Sequence, residues 1–192
     1  MMYLVLGLVV FLGVHSVRIF AEDWRTQTRA RIGEQKFKGI YSVLSLIGFA
    51  LIVWGFGVAR ETPTLVWLPP PGLRHAAALL NVLAFVFLVA AYVPKNGIKS
   101  RVHHPMVLGV KTWALAHLVS NGNLAHMVLF GSFLAWAVLD FISARRRDRA
   151  LGTQYPAGTL AATGLTVLIG VVAAGVFAMA LHGLLLGVKP FG

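Results

Sequence analysis

The apolar residues of this chain lie in blocks about as long as a bilayer is thick, and that grouping decides what it can fold into. A hydrocarbon core about 30 Å thick takes roughly 20 residues of helix to cross. Inside it, every backbone N–H and C=O must be paired within its own segment or within a closed barrel. Such blocks run from about Met2 to Phe20, from about Gly39 to Val58 and from about His75 to Tyr92, the third ended by Pro94, Asn96 and Gly97. The next, about Pro105 to Phe141, is too long for one crossing and is interrupted by Ser120, Asn121, Gly122 and Asn123. It reads as two helices, about Met106 to Val119 and about Leu124 to Phe141, the first short for a full crossing. A last block from about Thr159 to Val188 is long enough to require tilt or an interfacial end. The expectation is an all-α, polytopic integral membrane protein of about six transmembrane helices, with residues 1–192 forming a single transmembrane domain.

Composition agrees: 58% of the 192 residues are hydrophobic and 12% charged, where soluble domains carry about 25% charge. The formal net charge of +11 would suggest nucleic acid in a soluble chain. Here the basic residues sit in the connections between apolar blocks, where they orient helices and meet anionic headgroups, so no nucleic-acid partner is expected. Arg18, Arg25, Arg29, Arg31, Lys36 and Lys38 follow the first block, Lys95, Lys99 and Arg101 the third, and Arg145, Arg146, Arg147 and Arg149 the fifth. Arg60, Arg74 and Lys189 occupy the remaining segments and Lys111 lies within a block, a partition of thirteen against three. It predicts both termini on the non-cytoplasmic side, which needs an even number of crossings. The opening block has no positive charge before its apolar run and does not read as a cleavable signal. Without cysteine, disulfides, thiolate metal sites and iron–sulfur clusters are excluded.

Ionisable side chains at membrane depth ordinarily face a protein interior, a cavity or a cofactor. The candidates are His15, Lys111, His117, His126 and His182 with Asn81, while His75 and His104 lie at helix ends where headgroup contact is the plainer reading. At about 1.5 Å per residue, His15 falls toward the inner side, His117 near mid-membrane, and His75, His126 and His182 toward the outer surface. His15 and His117 can clamp a haem iron from two helices, or be buried core histidines with hydrogen-bond partners. The outer three can hold zinc or copper but lack the close spacing of a strong metal motif. Gly109, Trp113 and His117 share a face at four-residue spacing after Pro105, which suits a flat ligand and ordinary helix packing equally. The small residues Gly170, Ala174 and Ala178 recur at the same spacing and favour close helix approach.

Three stretches together resemble the NnrU-like membrane protein family, which is related to the plant and bacterial 15-cis-zeta-carotene isomerases. They are Gly13-Val-His15-Ser-Val-Arg18, Arg101-Val-His-His104-Pro105-Met-Val-Leu-Gly109, and Trp113 with His117 before Asn121-Gly122. The isomerase relationship implies haem b held by two histidines and isomerisation of an apolar polyene such as a carotenoid precursor. His15 and His117 then look like the axial ligands, His104 like the family histidine before a proline, and Trp113 and Gly109 like walls of the cofactor site. The NnrU branch implies instead a role in nitrite and nitric oxide respiration in denitrifying bacteria, in an inner membrane and beside a respiratory reductase.

Three function classes follow: a haem-b enzyme acting as a cis–trans isomerase, a non-catalytic accessory or maturation factor for denitrification, and a transporter with a path past Lys111 or Asn81. The last is weakened by the lack of a visible internal repeat. No carboxylate lies deep in the apolar blocks, Asp140 being placed near the inner end of the fifth, so a carboxylate-driven proton pump is not expected.

Overall fold

The computed structural model describes residues 1–188 and 190; Lys189, one of the three basic residues assigned to the outer segments, lies outside the described residues. The described chain is mostly helical: α1 (Met2–Phe20), α2 (Glu22–Ile32), α3 (Glu34–Glu61), α4 (Leu73–Tyr92), α5 (Gly97–Val102), α6 (Pro105–Ser120), α7 (Leu124–Leu151) and α8 (Leu160–Val176), then a π turn (Phe177–Leu181) and α9 (His182–Leu186). Five helical segments are long and apolar enough to cross a membrane: α1, α3, α4, α7 and the continuous run Leu160–Leu186. At 16 residues, α6 is about 24 Å long, short of a full crossing as the sequence indicates.

The bounds of α1 and α4 follow the apolar blocks closely, whereas α3 and α7 run past theirs. α3 begins in the charged linker, where Lys38 pairs with Glu34 at 2.8 Å one turn away. The stretch Glu22–Lys38, expected as a surface segment, supplies this extra turn and the whole of α2. In α2, Glu22 and Asp23 occupy the first turn and Arg29 and Arg31 the last, complementing the helix dipole, and no residue is buried. α7 continues ten residues beyond Phe141 because Ala, Arg and Leu are strong helix formers that no proline or glycine interrupts before Gly152. Asp140 thereby lies inside the helix while still close to the inner end of its apolar run.

The chain divides into two compact units, residues 1–69 with 121–143 and residues 70–120 with 144–192. In the first, α1 packs on α3 through glycines. A Cβ on Gly7 would lie 2.6 Å from the Ile52 nitrogen and one on Gly48 2.7 Å from the Phe11 nitrogen, while Gly55 abuts the backbone of Leu4. Gly48, Ile52, Gly55 and Ala59 form the buried face of α3, and Leu4, Gly7 and Leu8 that of α1. In lipid, apolar burial gives helices no reason to associate, so such backbone approach, which multiplies dispersion contacts, is the principal attraction. The segment after α3 returns to the start of α7: Val66 donates to the Gly122 carbonyl at 2.9 Å and Leu124 to that of Thr64 at 2.8 Å. Gly122 is needed there because the Trp67 carbonyl occupies the space a side chain would fill.

In the second unit α4 packs against both α6 and α8. Gly109 of α6 meets the Ala84 carbonyl and Leu88, and Gly170 of α8 meets Val86, where a Cβ would lie 2.6 Å from the backbone. Asn96, 1% exposed, caps α5 by accepting from the Lys99 N–H at 2.8 Å and donates to the carbonyls of Ala90 and Val93. The Gly97 N–H reaches Thr163 at 2.8 Å and the Thr159 N–H the Lys95 carbonyl at 2.9 Å, tying the start of α8 to the start of α5.

Replacing Gly48 by leucine drives a branched side chain into the Phe11 backbone and should destabilise the protein by about 1–3 kcal/mol. Gly13→Ala, at a position where an added Cβ meets nothing within 4 Å, should be neutral or stabilising by up to about 1 kcal/mol. Thermal unfolding in detergent measures both, and equal melting temperatures would refute the glycine-mediated contact.

Candidate functional site

His15 lies three-quarters of the way along α1, and its Nδ1 is 2.7 Å from the Phe11 carbonyl one turn earlier. A carbonyl only accepts, so Nδ1 carries the proton and Nε2 is left as the lone-pair nitrogen. The imidazole stacks on Phe11 at 4.2 Å between centroids, faces Tyr41 of α3 at 5.2 Å, and meets Trp136 of α7 edge-on at 6.1 Å. Phe133, one turn before Trp136 less one residue, packs against Phe11 at 5.8 Å. The Trp136 indole nitrogen is buried and has no partner among the described residues. His15 therefore sits in an aromatic nest built entirely within the first unit. His126, near the start of α7, is set edge-on to Phe56 at 5.0 Å, and the Arg60 guanidinium lies over that ring at 5.7 Å.

The second unit holds His117, Trp113, Gly109 and His104. His117 repeats the local geometry of His15, Nδ1 donating to the Trp113 carbonyl at 2.9 Å, with the two rings tilted 5.3 Å apart. Gly109 is buried against α4, so the space left by its missing side chain is filled by Ala84 and Leu88. His15 and His117 thus belong to different units. Of the outer histidines, His126 lies in the first unit and His75 and His182 in the second. His182 donates from Nδ1 to the Val188 carbonyl at 2.6 Å, just after the π turn, and Asn81 donates to the Ala77 carbonyl at 2.9 Å. Among the described residues, no three His, Asp or Glu side chains are grouped to hold a metal ion.

The most developed polar cluster joins the α5–α6 junction to the last turns of α7. His104 donates from Nε2 to the Asp148 carboxylate at 2.7 Å, and the Tyr155 hydroxyl donates to the same oxygen at 3.0 Å. Arg145, one turn before Asp148, lies 3.8 Å from that oxygen and donates to His103 Nδ1. His103 ends α5 in the left-handed region at φ 67°, unusual for a residue with a side chain, and its ring stacks on Tyr155 at 4.1 Å. Burial pushes the Tyr155 phenol above its ordinary range, and donation to Asp148 adds to the effect. Only His104 of this cluster was marked in the sequence. Asp148, Tyr155 and Arg145 were not, although one acid within a run of four arginines was a signal that something holds it there.

The NnrU protein family model matches residues 3–190. The chain belongs to the NnrU family. No curated protein and no solved structure matches it. This NnrU-family protein is an integral membrane protein by its five long apolar helical segments, and its family match covers both compact units.

Because the raised pKa of Tyr155 means tighter proton binding in the folded state, its contribution to stability is present below the ordinary tyrosine value of 10.0 and is lost as pH rises through its own higher value. Tyr155→Phe removes that ionisation. The variant should show a flatter alkaline limb in a plot of melting temperature against pH, and a limb identical to that of the parent would refute the Asp148–Tyr155 bond.

Proposed function

We propose that this NnrU-family membrane protein is a non-catalytic accessory or maturation factor for nitrite and nitric oxide respiration. The observation that carries this reading is the family match over residues 3–190, since the resemblance drawn from the sequence links that family to denitrification. The helices also present broad apolar faces: Val9, Leu79 and Leu168 are each more than half exposed. In a bilayer such faces meet lipid or the helices of a membrane partner, and a respiratory reductase is the partner this reading names. The basic asymmetry of the connections supports a bacterial inner-membrane location; both termini lie outside the cytoplasm in this reading only if the short α6 serves as a sixth crossing beside the five long segments.

One observation favours a second reading, a haem b held by His15 and His117. Each imidazole donates its Nδ1 proton to the carbonyl four residues earlier, the kind of bond that fixes the ring orientation and tautomer of metal-ligating histidines. The residues thus fit an axial-ligand role one by one. When bound, the group would supply an iron able to interact with a polyene double bond, which is how the isomerase relationship would be expressed. Phe11 and Tyr41 would orient the His15 ring and exclude water from it, and Trp113 would do the same beside His117.

The two readings separate in one genetic background. Deleting the gene from a denitrifying host should lower nitrite or nitric oxide reductase activity, and the His15→Ala/His117→Ala double variant should restore it fully if the role is haem-independent. Reductase activity unchanged by the deletion would contradict the accessory role. For the haem reading, the purified protein should carry a Soret band that shifts in each single alanine variant, and unchanged ligation in both would refute it.

A further inference from the structure

We infer that the cleft beside the C-terminal turns of α7 binds a phosphate ester, presented by the headgroup of an anionic lipid. The cleft belongs wholly to the second unit and is an open hollow of about 200 Å³ lined by His103, Arg145, Asp148, Arg149, Thr153 and Gln154. Its depth follows from helix length. α7 has 28 residues, about 42 Å, and the hydrocarbon core takes up about 30 Å of that. The apolar run ends at Ile142, so Arg145 and Arg149 emerge where the headgroups lie.

The charge arrangement selects an anion. Arg145 and Arg149 are one turn apart and line the same side of α7. Asp148 stands between them, but its carboxylate already accepts from His104 and Tyr155 and lies beside Arg145, so its charge is spent inside the cluster. Set against one carboxylate and about half a negative charge on the last α7 carbonyls, the two guanidinium groups leave the cleft with a small net positive charge. Gly152, at φ 59°, turns the chain back, and Thr153 donates its N–H to the Asp148 backbone carbonyl at 2.9 Å. This turn brings Thr153 and Gln154 to the rim, where the Gln154 amide donates one N–H to the Gly152 carbonyl at 3.3 Å and keeps a second. Arg145 donates to His103 Nδ1, so the neutral ring keeps its proton on Nε2 and is a donor as well.

His103 takes its positive φ at the centre of a tight turn closed by the His104 N–H on the Val102 carbonyl at 2.8 Å. Here the stack on Tyr155 and the bond from Arg145 hold the ring at the cleft wall. Arginine forks match phosphate oxygens two at a time, and basic pockets at the headgroup level are the usual place for them to do so.

The test uses the full chain in detergent, titrated with phosphatidylglycerol, phosphatidylcholine or inorganic phosphate and read by native mass spectrometry and thermal shift. Phosphatidylglycerol should bind and raise the melting temperature, and phosphatidylcholine should bind at least about tenfold more weakly, a difference of about 1.4 kcal/mol. Arg149→Gln, on an exposed residue outside the Asp148 network, should weaken phosphatidylglycerol binding about tenfold. Gln154→Ala should weaken it less, and Arg146→Gln, outside the cleft, should leave it unchanged. Equal binding of the two lipids, or equal losses in Arg149→Gln and Arg146→Gln, would overturn the site. Displacement of phosphatidylglycerol by millimolar inorganic phosphate would overturn the lipid as its source and assign the cleft to a soluble phosphate.

Discussion

Hydrocarbon offers a peptide group no hydrogen-bond partner, and the rest of this structure depends on how the chain meets that constraint. The backbone meets it by being helical over nearly its whole described length. The polar side chains on those helices meet it by the same local device. Ser45 donates to the Tyr41 carbonyl, Asn81 to that of Ala77, Thr112 to that of Leu108 and Thr166 to that of Ala162, each four residues back. His15 and His117 follow the same rule, with one difference. A hydroxyl or amide that bonds back to its own helix keeps oxygen lone pairs as its remaining acceptors, whereas an imidazole that does so has a second ring nitrogen, the atom type that ligates haem iron. The feature that makes these histidines tolerable in a membrane is therefore also the one that would fit them to hold iron.

Once hydrogen bonding is satisfied within helices, lipid leaves close packing as the means of holding them together. On α1 and α3 the backbones meet at Gly7, Gly48 and Gly55, and on α4, α6 and α8 they meet at Gly109 and Gly170. Gly170 and Ala174 were visible in the sequence as a small-residue row, and both are buried. The heptad pair Gly48 and Gly55 was not, because in a chain with 20 glycines no spacing stands out until the partner helix is known. Gly109 shows the reverse: a residue that in sequence suits a flat ligand or a neighbouring helix is taken up by α4.

The apolar blocks were legible because one physical quantity, bilayer thickness, sets their length. The ends of α3 and α7 were not, since ion pairs and helix propensity extend a helix beyond the lipid without any apolar signal, as Lys38 with Glu34 and the arginine run do. That extension explains why the polar cluster escaped the sequence. Asp148 joins His104 across 44 residues only because α7 continues to Leu151 and the chain then folds back to Tyr155. Likewise the rings around His15 come from three helices, and no local spacing could gather Phe11, Tyr41 and Trp136.

The depth at which α7 leaves the hydrocarbon underlies both the membrane fold and the position of the polar cluster. The chain has no cysteine, so single substitutions give an unambiguous probe. Leu139→Cys, Ile142→Cys, Arg146→Cys and Ala150→Cys all fall on exposed positions of α7. In proteoliposomes labelled from both sides with a membrane-impermeant maleimide, the first should be protected and the last two labelled, with Ile142→Cys at the transition. Labelling of Leu139→Cys as fast as of Ala150→Cys, or protection of all four, would contradict the account.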